Sequence, residues 1–192
     1  MQHNVVNAPN IPTRNDVMSS TTSVSLRYDL FTRSLHWVIA AFIIYTMIEG
    51  YALNIISNEK YHHFFSSLNM SIATVIAPLM VIRYLWKFFR PELAYPENFP
   101  QIQKSIAHLC HEIFYLAIFM LLATGFLMLE HGYFLFGIIP VARPLNDPDA
   151  NRLFFHAHRF LSAFVGIMLI FHILALLKHH VINKRDILRR ML

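Results

Sequence analysis

The 192-residue sequence has little charge, little glycine and almost no cysteine. Only 14% of its residues are charged, whereas a soluble domain has about a quarter, so a surface in water on all sides is excluded. The single cysteine, Cys110, excludes an internal disulfide and any attachment motif that needs two cysteines. The five glycines form no GxGxxG or GxxxxGK nucleotide-binding loop. What the sequence does have is apolar side chains, which make up 56% of its residues.

Four apolar runs follow one another, each close to or above the roughly 20 residues that an α-helix needs to cross a bilayer core. Lipid cannot satisfy exposed backbone N–H and C=O groups, so each run is expected to be helical. We therefore predict an all-α membrane protein, a bundle of four transmembrane helices in a single domain over residues 27–192. Residues 1–26 are polar, which predicts a mobile tail that is not cleaved. The predicted spans are at about residues 35–53, 68–89, 106–129 and 154–177.

Basic residues are concentrated at one end of the predicted bundle. The N-terminal flank carries three Lys or Arg, the loop between spans two and three four, and the C-terminal end five, so twelve of the sixteen lie on one side. The positive-inside tendency then predicts that both termini are cytoplasmic. The net charge of +5 is thus explained by membrane flanks, and no nucleic-acid-binding face is expected.

The twelve histidines need an explanation in so apolar a chain. His158 and His172 lie fourteen residues apart in span four, where a helix rises about 21 Å and turns almost four times, so they share a face at opposite leaflets. His36, at the start of span one, can meet His172 at one depth in a bundle. Two neutral imidazoles on different helices are what a bis-histidine haem b requires, and His158 is a candidate ligand of a second haem. With one cysteine, such a haem has no covalent link.

Other roles stay open for these histidines. A histidine within the membrane can hydrogen-bond to a neighbouring helix, or it can belong to a proton or metal pathway. A haem-free, histidine-lined metal or proton transporter is therefore the alternative of a different class. If a haem binds with both axial positions filled by histidine, no iron site is left for O₂, which favours electron transfer.

Three motifs resemble those of the bacterial cytochrome b561 family, from about residue 27 to the C terminus. They are RSLHW at 33–37, HLCHEIFYLAIF at 108–119, and the two histidines of span four followed by KHH at 178–180 and KRDILRRML at 184–192. The resemblance implies a multi-pass cytochrome b of the bacterial inner membrane, with two haems b that exchange electrons with ubiquinone. It also implies a superoxide oxidase-like oxidoreductase, in which an external one-electron donor such as superoxide supplies the electrons.

The resemblance implies a role for individual residues. His36 and His172 match the ligands of the cytoplasmic-side haem, so their iron coordination is expected. His158 matches the ligand that span four gives to the outer haem. The other outer ligand is expected in span two, fourteen residues before the arginine that closes the span, which here is Arg83.

That position holds Asn69, and an asparagine is a poor haem ligand. His62 and His63 lie seven and six residues before it, and His62 shares its helix face at a level about 10 Å away. Three outcomes stay open: His62 or His63 replaces the ligand, the outer haem is five-coordinate, or no outer haem binds.

His108 and His111 lie three residues apart in span three, at the depth of the cytoplasmic-side haem. In the family this region borders the quinone, so the resemblance implies contacts with a quinone, and packing or a bond to a haem propionate is the equal alternative. The partners expected are membrane lipid, a quinone and an external electron donor. An alternative within the same class is a haem-b anchor subunit of a larger membrane oxidoreductase.

Overall fold

A computed structural model describes residues 27–90, 100–182 and 191. The predicted tail at 1–26 lies outside the described residues. Four long helices follow one another, and all four are long and apolar enough to cross a membrane, which confirms the predicted four-helix architecture. Their bounds are α1 Leu30–Ala52, α2 Glu59–Phe89, α3 Gln101–Leu127 and α4 Pro148–Leu177, and a π-helical turn, Lys178–Ile182, follows α4.

Two of the helices begin well before the apolar runs that predicted them. The Asn58 side chain caps α2 by accepting hydrogen bonds from the backbone N–H groups of Lys60 and Tyr61. Asp147 caps α4 in the same way, with Pro148 in the first turn. The apolar runs mark only the part of each helix that suits lipid, so hydropathy underestimates helix length at capped polar ends.

Helices that are consecutive in the chain pack against each other, α1 on α2, α2 on α3 and α3 on α4. This is the pattern of an up-and-down bundle. α1 and α4 approach each other at Gly166, where an added Cβ would lie 3.1 Å from Cε of Met47. Many large apolar side chains face outward, as expected for helices in lipid. The buried core consists of Leu35, Ile39, Ile76, Met80, Ala117, Ile118 and Val165.

A short antiparallel hairpin follows α3, with β1 at Tyr133–Leu135 and β2 at Ile139–Val141. Its turn contains Gly137 at φ +76°, a backbone conformation that glycine adopts without steric cost. The hairpin is tied to α2 by a hydrogen bond between the hydroxyls of Tyr133 and Thr74, and by the Phe136 N–H, which donates to Ser71 Oγ at 2.9 Å. The sequence analysis does not predict this hairpin, because strands of three residues show no readable alternation.

Candidate functional site

Each of the four helices carries a pair of positions fourteen residues apart, and the pairs form two layers. Fourteen residues rise about 21 Å and turn almost four times, so both members of a pair share one face. The layer termed the His36 layer contains His36 of α1, Arg83 of α2, His111 of α3 and His172 of α4. The layer termed the His158 layer contains Gly50 of α1, Asn69 of α2, Gly125 of α3 and His158 of α4.

The His36 layer brings together side chains from all four helices. The rings of His111 and His172 meet edge to face, with their centroids 6.0 Å apart. Phe114 adds a second ring 5.7 Å from that of His172. His36 lies within electrostatic range of the other three members of the layer. The structure therefore places His36 and His172 at one depth, on helices that are first and last in the chain.

His111 and His108 point in different directions. Nδ1 of His111 lies 2.6 Å from the carbonyl oxygen of Ala107, and because a carbonyl only accepts, this nitrogen carries the proton. The Nε2 lone pair of His111 is then left to meet another group. The His108 side chain is 70% exposed and lies 3.9 Å from a carboxylate oxygen of Glu112. Only His111 of the two belongs to the layer.

Arg83 supplies a positive charge beside the histidines. Its guanidinium forms a hydrogen bond with Tyr115. Its Nη1 is buried and has no hydrogen-bond acceptor among the described residues. A small cavity next to it is also lined by Lys87 and Arg90. A buried guanidinium N–H without an acceptor, in a basic cavity, is a fitting partner for a carboxylate.

In the His158 layer, α3 holds the imidazole of His158 firmly. Nδ1 of His158 donates to the carbonyl oxygen of Leu121 at 3.0 Å, and the hydroxyl of Thr124 lies 3.5 Å from the same nitrogen. A Cβ added at Gly125 would lie 3.0 Å from Cε1 and 3.1 Å from Nδ1 of the ring, so the ring packs directly on the α3 backbone. This arrangement fixes the tautomer with Nε2 free, as is typical of metal-binding histidines.

Asn69 faces the same layer from α2. A Cβ added at Gly50 would lie 3.7 Å from its Nδ2, so the amide rests against α1. Its Oδ1 is buried and accepts no hydrogen bond from a described residue. His62 and His63 are exposed in the first turns of α2, about 10 Å along the helix from Asn69. The structure therefore does not bring them into the layer.

The donor groups of both layers suit haem b. Across residues 27–90 and 100–182 no three His, Cys, Asp or Glu side chains converge in a way that could hold a metal ion. The layers offer isolated imidazoles in apolar surroundings, the glycines leave two helices without side chains at one depth, and an unpaired guanidinium N–H faces the other. Haem b has apolar faces, an iron that binds imidazole, and carboxylate groups at its edge, so it fits all three features.

Sequence reasoning missed the two glycines of the His158 layer. The signal was present, because Gly50 follows His36 by fourteen residues and Gly125 follows His111 by the same spacing. It can be recognised only by asking which residue lies fourteen positions from each histidine, on the same face of its helix. A glycine is usually interpreted as a turn residue, and a glycine within an apolar run does not by itself indicate a binding site.

Comparison with known proteins agrees with the geometry. The chain is 28% identical to "Cytochrome b561 homolog 2" of Escherichia coli (strain K12) over 179 residues, which cover 90% of this chain and 95% of that protein. Residues 27–192, which contain all four helices and both layers, match the family described as prokaryotic cytochrome b561. The chain therefore belongs to the prokaryotic cytochrome b561 family.

Proposed function

We propose that the protein is an oxidoreductase of the bacterial inner membrane that passes electrons between an external one-electron donor or acceptor and membrane ubiquinone. Superoxide is the candidate donor. Membership of the family implies haem b and electron transfer in a membrane. The observation that carries the proposal is the position of His36 and His172 at one depth, on the first and last helices of the bundle.

In this proposal His36 and His172 would hold the first haem through their imidazole rings. Haem b would supply a one-electron iron couple, and binding by two histidines would favour electron transfer over the binding of small ligands. Arg83 would hold a propionate with its unpaired N–H. Phe114 and the apolar core around Leu35 and Ile39 would keep water from the ring faces.

His111 is the proposed contact for the quinone. The residue is exposed, as a contact with a quinone requires, and its ring meets that of His172. Because Nδ1 donates to Ala107, Nε2 can accept a hydrogen bond from the hydroxyl of a quinol. His108, which points toward Glu112, has no part in this contact.

The proposed orientation places the His36 layer near the cytoplasm. Lys87 and Arg90 lie at that end of α2, and Lys104 lies near the start of α3. Basic residues favour the cytoplasmic side, where they also meet anionic lipid. The His158 layer and the hairpin then lie toward the external side, from which a water-soluble electron donor would approach.

The test is the haem content and spectrum of the purified full chain. His36→Ala and His172→Ala should each remove the low-spin bis-histidine signal, and reduced protein should be reoxidised by ubiquinone. His180→Ala is the matched control, since His180 is exposed beyond α4. If both layer variants keep their full haem content and spectrum, the proposal is wrong. A protein without haem that conducts metal ions or protons would support the transporter alternative.

A further inference from the structure

We infer that a haem in the His158 layer has His158 as its only protein ligand, and that its sixth iron position, beside Asn69, binds a small diatomic ligand. The inference rests on the proposed function, and it adds an exogenous ligand site to the outer haem. The His36 layer would thus hold a closed, six-coordinate iron and the His158 layer an open one.

The depth of the Asn69 and His158 side chains follows from their positions along helices α2 and α4. Arg83 and His172 interact electrostatically in the His36 layer. Asn69 precedes Arg83 by fourteen residues and His158 precedes His172 by the same number, and α2 and α4 run in the same direction. Both side chains therefore lie about 21 Å from the His36 layer, on the faces that carry Arg83 and His172.

The composition of the layer leaves few groups that could fill the sixth position. Gly50 and Gly125 have no side chain, and His158 is fixed to α3. Asn69 is the fourth member, and a neutral carboxamide is a weak ligand for haem iron. Its buried oxygen accepts no hydrogen bond from a described residue, so no protein donor fixes the orientation of the amide, whose NH2 group can donate to another molecule.

Four described side chains of types that bind haem iron are engaged or lie elsewhere. The Tyr133 hydroxyl is hydrogen-bonded to Thr74, and the Met47 methyl group packs at Gly166. His62 and His63 are exposed at the start of α2. Of the three outcomes that the sequence leaves open, these positions favour the five-coordinate haem.

Asn69 also indicates the class of ligand. An amide beside an open iron position can donate an N–H hydrogen bond to the far atom of a small bound molecule, and it carries no charge that would repel an anion. The site therefore suits diatomic molecules of the dioxygen kind. Carbon monoxide is the suitable probe, because it binds five-coordinate ferrous haem and does not displace strong imidazole ligands.

The experiment uses the purified full chain, reduced with dithionite and titrated with carbon monoxide. Two haems per chain are expected, one low-spin and one high-spin, with one carbon monoxide bound per two haems. Asn69→His should supply the missing imidazole, convert the high-spin signal to low-spin and abolish carbon monoxide binding without changing the haem content. Asn69→Ala should keep both the high-spin signal and carbon monoxide binding.

His62→Ala and His63→Ala are the matched controls and should leave both spectra unchanged. One haem per chain, or two low-spin haems that ignore carbon monoxide, would overturn the inference. If either of these results is found while His36→Ala and His172→Ala still remove a low-spin haem, the proposed function stands and the inference alone fails. A chain without any haem would overturn both.

Discussion

The His36 layer and the His158 layer use the same spacing on the same four helices, and they differ in what each helix contributes. In the first layer every helix provides a side chain with nitrogen donors, three histidines and an arginine. In the second, two helices provide glycine, one provides asparagine and one provides histidine. One scaffold can thus present a cationic site with four nitrogen-bearing side chains at one depth and a neutral site with two glycines at another.

The two layers also fix their histidines in different ways. His158 is held by the backbone of α3, at the Leu121 carbonyl and at Gly125. His172 is held mostly by aromatic neighbours, His111 and Phe114. A ring fixed by a backbone carbonyl has one tautomer and one orientation, which suits a haem with a single protein ligand.

The largest expected effect comes from removing His158, the proposed single ligand of an outer haem. His158→Ala should lose that haem entirely, because no second protein ligand would keep it in place, while the low-spin haem of the His36 layer remains. Haem per chain should fall from two to one, and carbon monoxide binding should disappear. Haem quantification and the low-spin signal of the same sample check this. Loss of the low-spin signal together with the outer haem would show that the layers are not independent.

The two glycines of the His158 layer, Gly125 and Gly50, test how strongly the outer haem depends on the position of the His158 ring. Gly125→Ala puts a methyl group about 3 Å from the His158 ring, so the ring must move and its bond to Leu121 must weaken. Overpacking of this kind costs about 1–3 kcal/mol, and loss of such a supporting bond lowers metal affinity about 10- to 100-fold. Gly50→Ala is the matched control, because its methyl group would make an ordinary 3.7 Å contact with Asn69.

Competition with apomyoglobin, which takes up dissociating haem, measures both glycine variants. Faster loss of the outer haem is expected for Gly125→Ala only. Equal loss in the two variants would mean that the approach of Gly125 to the His158 ring does not matter for binding.

The sequence was sufficient for the parts of the molecule that obey a strong periodic or compositional rule. Hydropathy predicts the four spans, because crossing lipid requires long apolar helices. The separation of His158 and His172 follows from helix rise alone, and the common depth of His36 and His172 follows from their places at the start of the first span and near the end of the fourth. The hairpin is different, since its position depends on contacts of Tyr133 and Phe136 with α2, and such contacts leave no local pattern.

Asn69 shows why the site could be predicted only in part. Spacing identifies it as the residue in the ligand position, but spacing does not say whether His62 can reach the same place. That depends on the exposure of the first turns of α2 and on what α1 places opposite, which is Gly50. Both are properties of packing between helices, and they become visible only in three dimensions.

Arg83 offers a test with an intermediate effect. A unit charge about 10 Å from the iron, at an effective dielectric constant of about 20, contributes about 1.7 kcal/mol, or about 70 mV for one electron. Arg83→Gln removes a positive charge that favours the ferrous form, so the midpoint potential of the low-spin haem should fall by several tens of millivolts. Redox titration should show a shift at most about half as large for the outer haem, because it would lie about 21 Å further along the helices and the interaction weakens with distance.

Arg143→Gln is the control for this titration. The Arg143 side chain is exposed and donates to the carbonyl oxygen of Glu130 at 3.2 Å, where solvent screens its charge from the His36 layer. A shift much smaller than that of Arg83→Gln is expected. Equal shifts at both haems in Arg83→Gln would show that the charge acts through the whole bundle rather than on its own layer.

The smallest expected effect concerns the start of α1, two turns before His36. Asp29 caps this helix, accepting hydrogen bonds from the backbone N–H and the hydroxyl of Thr32 at 2.9 and 2.6 Å. The Thr32 hydroxyl in turn accepts from the Trp86 indole N–H at 3.0 Å, which joins α1 to α2. Replacing such a cap with alanine costs about 0.5–2 kcal/mol.

Protonation of Asp29 should weaken this cap. Burial alone would raise the pKa of the carboxyl, but the hydrogen bonds from Thr32 and Trp86 outweigh it and hold the pKa below the ordinary value of 3.8. A carboxyl whose pKa is lower in the folded state stabilises fully above pH 3.8, and the contribution is lost as pH falls through the lowered value. Thermal loss of the low-spin spectrum should therefore occur at lower temperature below about pH 4. Asp29→Asn keeps a capping oxygen without the titration, so it should lack this part of the acid sensitivity, and identical acid profiles would exclude Asp29 as its source.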